Sequence, residues 1–496
     1  MIIALTNTFL WQGIKMELAQ LSAKELRELL DKGEASPLEA IESYIRRIES
    51  VERFIGAYLA QTLDEALKKA KSLTDENNPN SSVWGLPYAL SDNICTKDIL
   101  TTASSKFLEN FVPVYSADAY EKLAESGAIL LGKTGLDEFG MGESGCYSAL
   151  GSVNNPYDSS KIPGGSASGA AAAVASSEAS FSLGVDTAGS VRIPASFCGV
   201  TAFKPTYGLL SRYGIIAHSS SIDQVGVIGE GIADCALVMQ AISGCDSRDS
   251  TSLRIDPMDW LQFSSGSIQG MRIGFDASAA HSAGEESRRA YESAIQAFRH
   301  LGAEIIELRL EGNIYALAAS QIISCAEASS NLARFDGVRF GVRVAADSAD
   351  GTVIASRTHG FGEEAKNRLL FGTFAQTEDN YGKYYEKALK ARQLAKSSYE
   401  SLMQQCDAFL APTAPFAPLG RHEAIEPFSL NINTAMASLA GAPAVSFPAG
   451  IDSDGMPIGM HLSAKSLGER ELFTAVSAFQ ESTGYHKNKP AIPRQV

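Results

Sequence analysis

The chain has 496 residues, 45% of them hydrophobic and 20% charged, with a formal net charge of −15. That balance belongs to a globular protein with a large core, and the acidity excludes a general basic surface for nucleic acid, which needs clustered Lys and Arg. The seven cysteines (Cys95, Cys146, Cys198, Cys235, Cys245, Cys325 and Cys406) form no Cys-x-x-Cys pair. Neither a zinc site nor a disulfide framework is indicated, and buried free thiols in a reducing cytoplasm are expected. The apolar start, 1–11, lacks a cationic flank and is too short to span a bilayer, so it does not read as a signal peptide. Met16 is an alternative start.

In chain order, Ser22 and Glu25 form a capping-box pattern ahead of Leu26, Leu29 and Leu30, and Gly33 stops that helix. Ser36-Pro37 starts a second helix, with Leu38, Ile41, Tyr44, Ile45 and Ile48 at helical spacing. Residues 58–73 read as a third helix, followed by a polar loop at 75–82. From residue 83 short strands and helices alternate: strand at 83–90, helix at 118–126, strand at 128–131, a small-residue helix at 170–175 and strand at 181–183. Residues 246–268 read as a surface connection. Strand 272–275, helix 285–301 and strand 304–308 make one more βαβ-like unit. A helical section covers 312–405, and strands return at 408–411 and 444–448. This predicts an α/β fold with a mixed central sheet flanked by helices. Residues 1–82 form a helical region packed on the core, and 83–490 a single domain.

The glycine-rich run Pro163-Gly164-Gly165-Ser166-Ala167-Ser168-Gly169 leads into the alanine-rich helix. A Walker loop is excluded because no Gly-Lys-Ser/Thr follows, and no serine in the run has the flanking glycines of a GxSxG elbow. Twenty-four residues after Ser166 stands Ser190, within Asp186-Thr187-Ala188-Gly189-Ser190-Val191-Arg192. A serine on such a turn can present its Oγ to a carbonyl carbon beside free N–H groups. Either motif alone is weak. Together with Pro194-Ala195-Ser196-Phe197-Cys198-Gly199 and Lys204-Pro205-Thr206-Tyr207-Gly208 they are specific.

On these motifs the sequence resembles the amidase signature family. Within it, the sequence resembles the branch of A subunits of glutamyl-tRNA(Gln) amidotransferases, on Leu136-Asp137-Glu138-Phe139, Ser211-Arg212-Tyr213-Gly214 and the run from Glu327 to Gly337. The resemblance implies Ser190 as nucleophile, Ser166 on a cis peptide as proton relay, and oxyanion donors from the backbone of Thr187, Ala188 and Gly189. It also implies that Arg368 pairs with a substrate carboxylate. The family's third catalytic residue is a lysine in Gly-Ile-Pro-x-x-x-Lys-Asp-Asn. Here the run is Gly85-Leu86-Pro87-Tyr88-Ala89-Leu90-Ser91-Asp92-Asn93, so Ser91 holds the lysine position. A buried lysine can be a base at neutral pH and a serine cannot. Lys97 and Lys133 keep structural places of their own.

Further departures fall nearby. Ser320 and Gln321 stand where glutamine-using relatives carry Tyr-Tyr, Asn431 stands for a carboxylate that holds the substrate amine, and Glu143 and Ala167 are unusual near the pocket. The seven histidines (His218, His281, His300, His359, His422, His461, His486) show no ligand spacing, and Glu363-Glu364 reads as a helix start. No metal site and no cofactor is expected in this chain.

The implied function is release of ammonia from glutamine through an acyl-serine, for conversion of Glu-tRNA(Gln) to Gln-tRNA(Gln) by a partner. The implied partners are a B subunit, which binds charged tRNA, ATP and magnesium, and a small C subunit. No membrane is implied. One alternative follows from Ser91, a scaffold or ammonia-conduit subunit without glutaminase activity; the other is a divergent free-standing amidase, which would still want the lysine.

Overall fold

The computed structural model describes residues 17–492 apart from 75–80, 265, 283 and 424–428. The apolar start, Met16 and most of the polar loop at 75–82 lie outside the described residues. Among the described residues eleven strands form one sheet: β1 (Tyr58–Gln61), β2 (Pro87–Ser91), β3 (Ile129–Thr134), β4 (Phe181–Asp186), β5 (Thr201–Lys204), β6 (Gln224–Gly229), β7 (Arg272–Phe275), β8 (Glu304–Glu307), β9 (Ala408–Pro412), β10 (Ala444–Ile451) and β11 (Pro457–Ala464). Their order is β1-β3-β2-β4-β6-β5-β10-β11-β9-β7-β8. β2 runs parallel to β3 and β4, and β7 parallel to β8 and β9, while the strands between are antiparallel. The sheet is therefore mixed, and strands from both halves of the chain build it.

The central strands are buried along their whole length, as β2, β4, β5, β6, β9 and β11 all show. Burial on both faces explains why they read as apolar runs without alternation. Leu90, Leu183, Phe203, Val227, Phe447 and Leu462 belong to one continuous core with Tyr291, Phe298, Phe473 and Phe479 of the covering helices. The helix Ser168–Ala175 is buried at every residue and lies against β2 and β4.

Local signals set the first helices. Ser22 and Ser36 both close reciprocal capping boxes, with Glu25 and Glu39. The expected helix at 58–73 starts later than its composition indicates. Residues Tyr58–Gln61 are β1, paired antiparallel with β3, and the helix is Leu63–Thr74. The cause is upstream: the helix Pro37–Ile55 ends on left-handed Gly56, and the Glu52 carboxylate accepts the Ala57 and Tyr58 N–H groups at 2.9 and 2.7 Å. The chain leaves that cap extended and finds a sheet edge, so pairing overrides helix propensity.

The connection 246–268 is not wholly on the surface. It contains the short helix Trp260–Phe263, and Trp260 is fully buried against Phe203 and Phe473, its Nε1 donating to Ser243 Oγ at 2.9 Å. A single aromatic anchor leaves no period to read. Of the seven cysteines five are buried and two, Cys146 and Cys245, are exposed, and none is paired. No helix among the described residues is long and apolar enough to cross a membrane.

Candidate active site

Two loops meet at the C-terminal end of the central strands. One follows β3 and carries Ser166; the other follows β4 and carries Ser190. They are joined through main chain: Ala167 N–H donates to the Ser190 carbonyl at 2.9 Å. The Gly165–Ser166 peptide is cis. Only glycine fits at 165, because a Cβ there would collide with Asp137 Oδ2. Asp137 in turn accepts the N–H groups of Gly145 and Tyr147 at 3.0 and 2.8 Å, while its own N–H donates to the Ser166 carbonyl at 3.0 Å. Burial pushes its pKa up to about 6 against those hydrogen bonds.

The turn under Ser190 rests on a buried ion pair. Asp186 and Arg192, both 0% exposed, form a two-pronged contact at 3.0 and 2.8 Å. The remaining guanidinium hydrogens reach Ser438 Oγ at 2.7 Å, the Thr434 carbonyl at 3.2 Å and His461 Nε2 at 2.8 Å. Burial alone would raise the Asp186 pKa, but Arg192 outweighs it and holds the carboxyl below its ordinary value. Asp186 also accepts the N–H groups of Gly189 at 2.9 Å and Val191 at 3.1 Å. Gly189 has φ of +133°, and a Cβ there would collide with Thr434 Oγ1, so glycine is required. Its N–H is committed to Asp186, which leaves those of Thr187 and Ala188 from the expected oxyanion set.

A small cavity opens over Ser190, lined by Gly140, Glu143, Thr187, Ala188, His218, Ser320, Gln321, Ser324, Arg368 and Asn431 among others. Arg368, on the helix Glu363–Gln376, contacts Glu364 Oε1 at 2.7 Å and lies 3.9 Å from Glu143 Oε1. Asn431 Nδ2 donates to the Ala188 carbonyl at 2.8 Å, and Ser320 Oγ to the Leu317 carbonyl at 2.7 Å. A methyl group on Gly140 would stand 3.7 Å from Ser166 Oγ and 3.9 Å from His218 Nδ1, which puts Ser166 at the cavity's edge.

Ser91 ends β2 and is fully buried, its Oγ without a hydrogen-bond partner among the described residues. Its register partner on β3 is Thr134. Lys133, one residue earlier, is spent elsewhere. Its Nζ donates to the Ile94 carbonyl and to Thr96 and Thr101 Oγ1 at 2.5, 3.2 and 3.0 Å, and burial pushes its pKa down to about 8. Lys97 is exposed. No group of three or more His, Cys, Asp or Glu side chains among the described residues is arranged to hold a metal.

A family model described as Amidase matches residues 39–473. The chain belongs to the amidase family. The A subunit of glutamyl-tRNA(Gln) amidotransferase from Thermoanaerobacter pseudethanolicus is 43% identical, over 96% of this chain and 99% of that protein. The solved structure of the Thermotoga maritima protein of the same name is 30% identical with a TM-score of 0.78, covering 97% of this chain and 100% of that one. Peptide amidase from Stenotrophomonas maltophilia is 26% identical with a TM-score of 0.81, over 95% and 98%. The mixed sheet with its covering helices is thus the amidase fold.

Within this amidase pocket the positions that stand out in the sequence come together: Ser190, Arg368, Asn431, Ser320, Gln321 and Glu143 share one cavity. Nothing in the sequence distinguishes His218 from the other histidines, yet it lines the cavity. Burial and nearby Arg368 push its pKa down to about 3, so it is neutral near pH 7. Asp223 is equally hidden in the sequence. Its carboxylate accepts Thr187 Oγ1–H at 2.7 Å and the N–H groups of His218 and Ser219 at 2.9 and 2.8 Å, tying the Ser190 turn to the His218 loop. The pattern His218-Ser219-Ser220-Ser221-Ile222-Asp223 offers no periodicity that would flag either residue.

Burial raises Asp223 from an ordinary carboxyl value to about 7. The folded state therefore holds a proton that the unfolded chain has lost above pH ~4, and this contribution fades as pH rises through about 7. Asp223→Asn is expected to make the fall of unfolding free energy between pH 5 and 7 shallower, by roughly 1 kcal/mol per pH unit. Urea titrations of both proteins at pH 5, 6 and 7 measure it.

Proposed function

We propose that this chain is the A subunit of a tRNA-dependent amidotransferase that releases ammonia from glutamine. The observation that carries the reading is the 43% identity to the A subunit of a glutamyl-tRNA(Gln) amidotransferase, spanning both proteins almost end to end. The joined Ser166 and Ser190 loops and the guanidinium in the cavity support it.

In this reading Ser190 Oγ attacks the glutamine side-chain carbonyl, and the developing oxyanion is held by the N–H groups of Thr187 and Ala188. The C–N bond breaks, the serine proton passes through Ser166 to the leaving nitrogen, and ammonia departs. Water then releases glutamate from acyl-Ser190. Arg368 holds the substrate, with Asn431 beside it. The chain needs no cofactor of its own. A B subunit with ATP and magnesium activates Glu-tRNA(Gln) and receives the ammonia, and a C subunit braces the pair, in the cytoplasm.

A second reading is favoured by one observation, the hydroxyl of Ser91 at the lysine position. It makes the chain a scaffold or ammonia conduit in the same assembly. An electrophilic glutamine analogue followed by mass spectrometry separates the two. Label on Ser190 that disappears in Ser190→Ala, with amidation by the assembled complex dependent on glutamine, is the expected result. No label, with ammonium serving as well as glutamine, would leave only the conduit.

A further inference from the structure

Among the described residues lining the cavity over Ser190, the one permanent cation is Arg368, and it faces two carboxylates. Glu364 comes from its own helix, one turn earlier, at 2.7 Å. Glu143 comes from the loop that follows β3, at 3.9 Å. The side chains of Arg368 and Glu143 are only 9% and 10% exposed, so solvent screens this contact poorly. Glu143 is also held in register with the catalytic loop, because its carbonyl accepts the Gly165 N–H at 2.6 Å, immediately before Ser166. A guanidinium binds carboxylates through a planar fork, and here part of that fork's charge is already answered by the carboxylate of Glu143.

We propose that Glu143 is an internal competitor for Arg368, which weakens the pocket's hold on the carboxylate of an amino-acid amide. The inference rests on the reading of this pocket as a glutamine site. An amino-acid amide must place its anion beside Arg368 while Glu143 stays in the same buried space, and the like-charge contact weakens its binding. An amide lacking the carboxylate meets no such opposition. Glu143 thereby sets how tightly an amino-acid amide is held, apart from any role in the bond-breaking step.

Isothermal titration calorimetry of the full-length chain with L-glutamine and with 4-aminobutanamide, which lacks the α-carboxylate, tests this. Glu143→Gln keeps the shape and removes the charge, and its thermal unfolding curve checks that the fold is kept. The expected result is a roughly tenfold or greater tightening for glutamine and no tightening for 4-aminobutanamide, whose ammonium loses an attractive carboxylate. An equal shift for both ligands, or an unchanged or weaker glutamine affinity, overturns the role of Glu143 while leaving the glutamine site standing. If neither protein binds glutamine at all, the glutamine reading and this inference fall together.

Discussion

Replacing Ser91 by lysine is expected to raise glutamine hydrolysis by about 10²–10⁴-fold, the range that a well-placed general base contributes. The site supplies the burial that such a lysine base would need. Ser91 is fully buried at the end of β2, and burial on the neighbouring strand already pushes Lys133 down to about 8. A lysine at 91 would meet the same desolvation and be available as a neutral amine near physiological pH. The variant's activity should therefore rise with pH along a titration well below that of a solvated lysine. Ser91→Ala serves as the control and should match the wild type, since a hydroxyl is no base at neutral pH. Steady-state release of glutamate, measured from pH 6 to 10, reads the effect. An unchanged rate in a folded Ser91→Lys protein would mean that the missing base is not what limits this pocket.

The second large effect is on the fold beneath the nucleophile. Arg192→Met is expected to cost about 3–5 kcal/mol, because it leaves Asp186 charged, buried and facing only backbone N–H groups. The three acceptors now satisfied by the rest of the guanidinium, Ser438, Thr434 and His461, lose their donor as well. The double variant Asp186→Asn with Arg192→Met should recover a substantial part of that loss, since a buried pair removed together no longer strands a charge. Urea unfolding at pH 7 of the two single variants and the double gives the coupling directly.

Much of this architecture can be read from the chain itself, for identifiable reasons. The capping serines Ser22 and Ser36 act within three residues, so their helices are visible locally. The parallel pair β7 and β8 with its intervening helix is a βαβ unit, whose switch from strand to helical period is visible along the chain. By contrast β5, β6 and β11 are strands only because neighbours supply their hydrogen bonds, and β1 runs against its own helical composition. The site divides in the same way. Ser166 sits in a glycine-rich run and Ser190 on a small-residue turn, both of which advertise themselves, and the cavity gathers Arg368, Asn431, Ser320 and Gln321 from more than a hundred residues away. His218 and Asp223 carry no such mark. Asp223 matters for the main-chain groups it faces and His218 for the cavity it lines, both properties of the folded molecule alone.

The bond from Ala167 N–H to the Ser190 carbonyl, together with those from Asp137 to Ser166 and from Gly165 to Glu143, runs between peptide groups. None of the three depends on what side chain occupies position 91, 143, 166 or 190. These three bonds thus join the loops through atoms common to every residue, while the chemistry itself hangs on atoms that any single substitution can change. An exchange of side chain at any of these four positions leaves the three main-chain ties in place, so the loops keep this part of their fastening when the chemistry changes.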